Sequence, residues 1–416
     1  MNELTFIDLF AGAGGLSEGF IKKGFVPVSY IEKDIDSCFT IKTRLAYYYL
    51  KNNNKLDIYR KYILRQISRE DFYSYIPSEL LDRVINQEIT EDNYVEIINK
   101  ITNNLQISGY KKINVMIGGP PCQAYSIAAR SKNPCKGETD PRNHLYELYS
   151  MLLGKVKPDI FIFENVPGLI TAGNGHFFND IKKLFSEAGP GYTIDYRNLC
   201  ACDFGVLQNR KRIILMGWKK ELNAGYPNFE SLANEKWQVG DLLSDIPSIQ
   251  PGDSLIHGEY ASEPSDYLIK HEIRKIDDIL TLHIARSHNE RDRHIYKLVI
   301  EKWKKYRERL KYTDVPQEYR THKNITSFLD RYKVVADDLP FSHTVLAHIA
   351  KDGHYYIHPD IDQRRSLSVR EAARLQSFPD NYYFEGSRTS TFRQIGNAVP
   401  PLVSQGIAEK IGEMLQ

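Results

Sequence analysis

Short apolar runs and helical patterns alternate along the first part of the chain. An apolar run at 5–10 leads through a glycine-rich turn at 11–15 into a helical stretch at 16–23, and a second run at 26–31 ends on Glu32. Short apolar runs bounded by turn residues predict buried strands. The order of these elements predicts a βαβ unit, and with it an α/β fold built on a mostly parallel sheet.

Two later apolar runs end beside residues that can carry out chemistry. The run at 113–117 leads into Gly118-Gly-Pro-Pro-Cys122, and the run at 160–163 ends on Glu164. Ligands of open α/β sheets bind outside the carboxyl ends of the strands, and two prolines stiffen the loop that carries the thiol. Cys122 is therefore a candidate nucleophile and Glu164 a candidate general acid. The alternatives are a small buried side chain for Cys122 and an exposed loop residue for Glu164.

Residues 45–110 differ from the flanking sequence in composition and in pattern. They are rich in Tyr, Asn, Ile and Lys, and apolar residues recur at helical spacing, for example at 80, 81, 84 and 85. This spacing predicts a helical insertion between the second strand and the strand before Cys122.

A polar loop leads into another buried strand at about 213–217. Gln208, Arg210 and Arg212 alternate along this loop, so an extended backbone would place them on one face. Arginines on an inward face need an anionic or a carbonyl partner.

The α/β alternation ends at about 218 and returns at about 345, which predicts a second domain between these points. Within it, residues 286–311 hold ten Lys and Arg against four Asp and Glu, and apolar residues at 295, 298, 303, 306 and 310 form a stripe. The pattern predicts a basic amphipathic helix, which is either a solvated surface element or a contact for phosphate groups. After 345, Ser368 and Glu371 have the spacing of a capping box, and a last helix is predicted at 402–415.

Composition and charge leave the class of partner open. The chain has 416 residues and a net charge of +2, which neither demands nor excludes an anionic partner. No apolar run is long enough to span a membrane, and the first residues lack the pattern of a signal peptide. Five cysteines without a C-x-x-C pair predict reduced thiols and no zinc site, with Cys200 and Cys202 as packing residues. We therefore expect a soluble cytoplasmic protein that holds no metal ion.

Several segments together resemble the DNA (cytosine-5) methyltransferases, a family typified by bacterial restriction-modification enzymes. The matching segments occur in the order of the family and span almost the whole chain; they are Phe6-Ile-Asp-Leu-Phe-Ala-Gly-Ala-Gly-Gly15, Gly119-Pro-Pro-Cys-Gln-Ala-Tyr-Ser126, Glu164-Asn-Val166, Gln208-Asn-Arg-Lys-Arg212, Arg365-Ser-Leu-Ser-Val-Arg-Glu-Ala-Ala-Arg-Leu-Gln-Ser-Phe-Pro379 and Gln394-Ile-Gly-Asn-Ala-Val-Pro-Pro401.

The resemblance implies a fold and a domain division. The fold is α/β: a Rossmann-like S-adenosylmethionine-dependent methyltransferase domain with a mixed, mostly parallel sheet, plus a smaller irregular target-recognition domain. The catalytic domain would comprise residues 1–222 and 345–416, with the helical insertion at about 45–110. The target-recognition domain would comprise residues 223–344.

The resemblance also implies catalytic roles for individual residues. Cys122 is similar to the nucleophile that adds to C6 of cytosine, and Glu164 to the group that binds and protonates N3. Arg212, with Arg210 nearby, is similar to the arginines that hold the carbonyl oxygen of the base and order the site.

Further positions match the cofactor pocket and the DNA contacts of the family. Gln123 and Ser126 would belong to the loop that closes on DNA. Independently of the resemblance, the charge pattern makes Arg307 and Arg309 in the basic segment candidate phosphate contacts. Glu32 would bind the ribose hydroxyls. The residues that match the S-adenosylmethionine pocket are Phe10, Gly12, Ala13, Gly14, Gly15, Glu32, Pro121, Leu145, Asn397 and Val399.

Two positions depart from the family pattern. Many members carry tryptophan after the ribose-binding acid, where this chain has Lys33. The acidic residue that contacts the adenine amine is displaced by the insertion, and Glu88 is the candidate for it.

The implied activity is transfer of a methyl group from S-adenosylmethionine to C5 of a flipped-out cytosine in a specific double-stranded DNA sequence, through a covalent Cys122 adduct at C6. The alternative is a tRNA cytosine-5 methyltransferase with the same chemistry. The implied partner is double-stranded DNA, alongside which a cognate restriction endonuclease could act separately. We expect a monomer that does not bind membranes.

Overall fold

The computed structural model describes residues 3–121, 145–229, 237–322, 325 and 329–416. The strands in these ranges are β1 (Thr5–Leu9), β2 (Val26–Glu32), β3 (Val84–Asn86), β4 (Val115–Gly118), β5 (Ile160–Asn165), β6 (Tyr192–Cys200), β7 (Gln208–Asn209), β8 (Lys211–Lys219), β9 (Ser254–Gly258), β10 (Leu280–Ile284) and β11 (Ser342–His343).

Seven of these strands form one mixed sheet in the order β3-β2-β1-β4-β5-β8-β6. The pairs from β3 to β5 are parallel, and β8 runs antiparallel to both β5 and β6. The predicted mixed, mostly parallel sheet is therefore confirmed. Two short ribbons lie outside it: β9 pairs antiparallel with β10, and β7 pairs parallel with β11.

Helices cover both faces of the sheet, and further helices lie in the segment from 237 to 343. They are α1 (Gly15–Lys22), α2 (Ile35–Asn52), α3 (Leu56–Ile63), α4 (Arg69–Ser74), α5 (Ser78–Leu81), α6 (Tyr94–Ile107), α7 (Leu145–Val156), α8 (His176–Glu187), α9 (Asp266–Lys270), α10 (Glu290–Tyr306), α11 (Val369–Leu375), α12 (Arg388–Asn397) and α13 (Pro401–Leu415). The predicted capping box at the start of α11 is confirmed, because the Ser368 hydroxyl accepts from the Glu371 backbone and the Glu371 carboxylate accepts from the Ser368 backbone.

The predicted helical insertion at 45–110 needs a correction. Most of it is helical, but Val84 and Ile85 form β3, which extends the main sheet beside β2. Both side chains are buried, and they pair in register with Tyr30 and Ile31. Edge pairing of two β-branched residues against an existing strand outweighs a helical spacing that spans only two turns.

The predicted closing helix is present as α13, and it packs beside the first βαβ unit. Ile407 of α13 and Phe6 of β1 belong to the same buried cluster. At the start of α1, a Cβ added to Gly15 would lie 2.3 Å from the Val399 carbonyl oxygen. Only glycine allows the two backbones to come this close.

The segment from 237 to 343 shares its core with the C-terminal helices. Leu242 and Leu268 lie in one buried cluster with Leu375 and Phe378. Helix α10 adds a smaller cluster through its buried face, which is formed by Ile295, Tyr296, Val299 and Ile300.

The basic helix predicted at 286–311 is shorter than expected. Helix α10 ends at Tyr306, because Arg307 adopts a left-handed conformation with φ 57°. Arg309 therefore lies beyond the helix, and Tyr306, predicted in the apolar stripe, is 58% exposed. A left-handed residue ends the helical hydrogen-bond pattern regardless of the charges that follow.

Two further sequence expectations concern cysteines and membranes. The sulfurs of Cys200 and Cys202 are joined in a disulfide, so the prediction of reduced packing thiols is wrong for this pair. None of the helices in the described part of the chain has the length and apolar character needed to cross a membrane.

Candidate active site

The sheet topology brings four strand ends to one edge. Strands β1, β2, β4 and β5 run parallel, so the loops after Leu9, Glu32, Gly118 and Asn165 leave the sheet on the same side. Strand β8 runs the other way, and its first residues therefore lie at this edge as well, with Ile213 paired to Asn165. The segments predicted to carry the chemistry thus meet along one edge.

A turn with left-handed residues follows β1. Phe10, Gly12 and Gly14 have φ values of 57°, 53° and 76°, and the Gly14 amide donates to the Ala11 carbonyl at 2.9 Å. Glycine adopts such angles without the strain that a Cβ would bring. A Cβ added to Gly12 would meet nothing within 4 Å, so the turn borders open space.

Glu32 is fixed by backbone groups at the end of β2. Its carboxylate accepts hydrogen bonds from the Gly12 amide and from the Asp34 amide, both at 2.8 Å. Burial raises the pKa of Glu32, and these backbone donors oppose the shift. Each oxygen keeps a second lone pair, so the carboxylate can still accept hydrogen bonds from a ligand beside Gly12.

Two of the other predicted cofactor residues, Ala13 and Val399, lie at this turn. Ala13 is buried, and its carbonyl accepts a hydrogen bond from the Tyr382 hydroxyl, a contact that the sequence analysis missed. Val399 lies against Gly15. Leu145 is the first residue of α7, and the exposed Asn397 is the last residue of α12.

Glu164 and Arg212 form an ion pair at the edge of the sheet. The distance from Arg212 Nε to Glu164 Oε1 is 3.0 Å, and the two side chains are 14% and 11% exposed, respectively. A Cβ added to Gly119 would lie 2.7 Å from Glu164 Oε2, so glycine at this position lets the carboxylate reach the loop after β4. The glycine pair before the prolines was the signal for this close approach.

The loop after β4 leads directly towards Cys122. The side-chain amide of Asn165 donates a hydrogen bond to the Pro120 carbonyl at 3.4 Å and so fixes the start of the loop. Pro121 is the last described residue of this loop. Cys122, Gln123 and Ser126 lie outside the described residues.

Arg210 contacts different partners from Arg212. It is buried, and its guanidinium donates to the Val345 carbonyl at 2.7 Å and to the Gly396 carbonyl at 3.4 Å. Gln208 is also buried and donates to the Leu375 carbonyl at 2.8 Å. The predicted alternation therefore does not give one shared face, because Gln208 and Arg210 hold the C-terminal segment while Arg212 reaches Glu164.

The remaining predicted contacts lie at exposed positions. Lys33 Nζ is 2.8 Å from Glu88 Oε1, with both side chains more than half exposed. Arg307 pairs with Asp338, and Arg309 Nη1 lies 3.8 Å from Asp330 Oδ2. These arginines are therefore partly neutralised by acidic neighbours.

Asp8 is a buried acid that the sequence analysis did not single out. It lies in β1 and accepts a hydrogen bond from the Ser17 hydroxyl. Burial raises the pKa of Asp8 to about 8, which the Ser17 hydrogen bond opposes. A carboxylate inside the apolar run at 5–10 was the available signal.

Replacing Asp8 by asparagine is expected to change how stability depends on pH. Because the folded-state pKa of Asp8 is raised from 3.8 to about 8, its contribution to stability is present at low pH and is lost as the pH rises towards 8. The wild type should lose about 1 kcal/mol per pH unit, relative to Asp8→Asn, between about pH 5 and pH 8. Urea unfolding of both proteins across this range measures the difference, and parallel stability curves would contradict it.

Comparison with known proteins assigns a family to this fold and site. The family model of the C-5 cytosine-specific DNA methylases matches residues 85–413. The chain is 42% identical to the Type II methyltransferase M.Bpa9945I of Bacillus paralicheniformis over 445 residues, which cover 99% of each protein. It is 29% identical to the Type II methyltransferase M1.HphI of Haemophilus parahaemolyticus, over 99% of this chain and 87% of that protein.

A solved structure shows the same fold. A protein from E. coli, described as a DNA modification methyltransferase encoded within a prophage, superposes with a TM-score of 0.64. The two chains share 23% sequence identity, and the match covers 99% of each. The Rossmann-like methyltransferase fold inferred from the sequence is thereby confirmed.

The chain therefore belongs to the C-5 cytosine-specific DNA methylases. It is a DNA (cytosine-5) methyltransferase that uses S-adenosylmethionine as the methyl donor. The resemblance noted in the sequence is confirmed at the level of family and activity.

Proposed function

We propose that the enzyme methylates cytosine through a covalent adduct on Cys122. The Cys122 thiolate adds to C6 of the base, and a proton delivered to N3 from Glu164 takes up the charge that develops in the ring. S-adenosylmethionine supplies the methyl group, which C5 accepts. Loss of the C5 proton to a base then allows the S–C6 bond to break, and the N3 proton returns to Glu164. These steps restore the C5–C6 double bond, the thiolate and the protonated Glu164.

The Glu164–Arg212 pair is the observation that carries this proposal. Both side chains are largely buried beside Gly119, three residues before Cys122, so a base held there would meet an acid and a cation together. Arg212 fixes the carboxylate and can also donate to the carbonyl oxygen of cytosine. We assign Arg210 a positioning role, since its contacts to Val345 and Gly396 hold the segments around the site.

The glycine-rich turn fits the cofactor. Open space beside Gly12 and the spare lone pairs of Glu32 suit a ribose whose two hydroxyls need acceptors. We propose that Phe10 and Gly14, together with Val399, form further walls of this pocket. We propose that Glu88, which lies two residues after β3 and pairs with Lys33, contacts the adenine amine.

We propose that the substrate is a specific sequence in double-stranded DNA. The reacting carbons of cytosine are hidden in a stacked duplex, so the base must be flipped out and the DNA held by a second structural unit. The segment 223–344, inserted between the two parts of the catalytic domain, is the candidate for this target-recognition domain. The names of the curated relatives, which are Type II methyltransferases, support a restriction-modification role.

The remaining assignments follow from that role. We propose a monomeric, cytoplasmic enzyme that acts on DNA independently of a cognate restriction endonuclease. A single chain carries both the catalytic edge and the proposed recognition segment, so one copy suffices for the reaction.

The substrate is tested with tritium-labelled S-adenosylmethionine and either duplex DNA or tRNA. We expect label in the DNA alone. Bisulfite sequencing of DNA from cells that express the protein should then place 5-methylcytosine at one recurring sequence. Label confined to tRNA, or methylated cytosines without a shared sequence, would contradict the proposed substrate.

Replacing Arg307 and Arg309 together by alanine is expected to weaken DNA binding and to make it less sensitive to salt. Each phosphate contact that is lost reduces the magnitude of the slope of log K against log salt concentration by about 0.9. Because Asp338 and Asp330 compete for these arginines, the summed loss should stay below about 2. Fluorescence anisotropy across a salt series measures the slope, and an unchanged slope would identify a solvated surface.

A further inference from the structure

Two arginines lie together where the segment 237–343 meets the C-terminal helices. Arg286 follows β10, and Arg388 is the first residue of α12. The Arg388 guanidinium donates to the carbonyl of Ala285 at 3.2 Å, which places it beside the backbone of Arg286. The Arg286 guanidinium donates to the Ala350 carbonyl at 2.7 Å. Backbone carbonyls thus hold both groups in place.

Neither guanidinium has an acidic partner among the residues that the structure describes. In the described ranges no carboxylate forms an ion pair with Arg286 or Arg388, and the Nε of each is buried without a hydrogen-bond partner. Asp352 is the acid whose charge acts on Arg286, and it is bound to Arg331 at 3.2 Å. Burial and the nearby charge of Arg388 lower the pKa of Arg286. Two neighbouring cations without a carboxylate partner favour the binding of an anion.

The arginine pair is connected to the active site by one short segment. Ser342 and His343 pair with Gln208 and Asn209, just before Arg210. Further along this segment, the Val345 carbonyl accepts a hydrogen bond from Arg210, and the Ala350 carbonyl accepts one from Arg286. Residues 345 and 350 can be no more than about 18 Å apart, even if the chain between them is fully extended. A span of about 18 Å corresponds to about five base-pair steps of about 3.4 Å each, so the arginine pair lies within a few base-pair steps of the segment that Arg210 holds.

We propose that Arg286 and Arg388 bind a backbone phosphate of the DNA substrate at the junction of the two parts of the chain. The proposal rests on the proposed DNA function and adds a contact that the sequence motifs do not contain. The planar guanidinium groups match the geometry of phosphate oxygens and can donate to them in pairs. Because Arg286 lies outside and Arg388 inside the proposed catalytic domain, one bound phosphate links the two.

The test replaces both arginines by glutamine and measures DNA binding by anisotropy across a salt series. The probe is a duplex taken from a DNA fragment that the wild-type enzyme methylates, in the presence of S-adenosylhomocysteine. We expect the magnitude of the slope of log K against log salt concentration to decrease by about 1, as for the loss of one phosphate contact. The single variant Arg388→Lys, which keeps the positive charge and leaves Arg286 in place, should retain most of the wild-type slope.

Arg197→Gln is the matched control, because Arg197 is exposed and already pairs with Asp195 at 2.7 Å. It should leave the slope unchanged. S-adenosylhomocysteine binding by calorimetry should be equal in all variants, which shows that the catalytic part is folded. If the wild type methylates DNA and the double glutamine variant shows an unchanged slope, the phosphate site is refuted. Absence of methylation by the wild type would instead refute the proposed substrate.

Discussion

Cys122→Ser is expected to abolish methyl transfer and to prevent trapping on DNA that contains 5-fluorocytosine. A serine hydroxyl is almost entirely protonated at neutral pH, whereas a cysteine supplies a thiolate that can add to C6. Fluorine replaces the C5 hydrogen, so no base can remove a proton from C5 after methyl transfer. The wild type should therefore stop at this point with its sulfur still bonded to the base. The trapped complex survives denaturation and is measured as a shifted band on a denaturing gel.

Cys38→Ser is the matched control for this experiment. Cys38 is a buried free cysteine that contacts the Glu32 carbonyl, so it lies near the cofactor turn but not on the loop after β4. This variant should still form the adduct. An adduct of normal yield in Cys122→Ser would refute the nucleophile assignment, and loss of the adduct in both variants would indicate that the cofactor site had been disturbed.

Sequence patterns predicted the part of the site that is built from consecutive residues. The glycine-rich turn and Glu32 are about twenty residues apart in one βαβ unit, and the crossover of such a unit is almost always right-handed. Each apolar run also showed where its strand would end. For this reason the positions of Glu32 and Glu164 at the same edge could be predicted before any coordinates were known.

Contacts between distant segments could not be predicted in the same way. The period of two along 208–212 gives side-chain direction for an ideal strand, but the backbone turns between β7 and β8, so Arg210 and Arg212 reach different partners. Strand β3 has only three residues and gains its stability from pairing with β2. The arginine pair Arg286 and Arg388 likewise joins positions about one hundred residues apart, which no local pattern connects.

Arg374→Met is expected to destabilise the protein by about 3–5 kcal/mol. Arg374 is fully buried in α11 and binds the carboxylates of Asp245 and Asp380, as well as the Leu242 carbonyl at 2.7 Å. Methionine has a similar volume, so the packing is largely kept while two buried carboxylates lose their main cation. Arg274 and Arg370 also approach these acids and should limit the loss.

This loss should appear as a lower midpoint of urea unfolding, and it should affect both parts of the chain together. Asp245 lies in the proposed recognition segment, whereas Arg374 and Asp380 lie in the proposed catalytic domain, so the cluster joins their cores. Arg60→Met provides the control, because Arg60 pairs with Asp277 on the surface and should contribute less than about 1 kcal/mol. If Arg374→Met proved as stable as Arg60→Met, the two parts of the chain would be held together by their shared apolar core instead of this ion cluster.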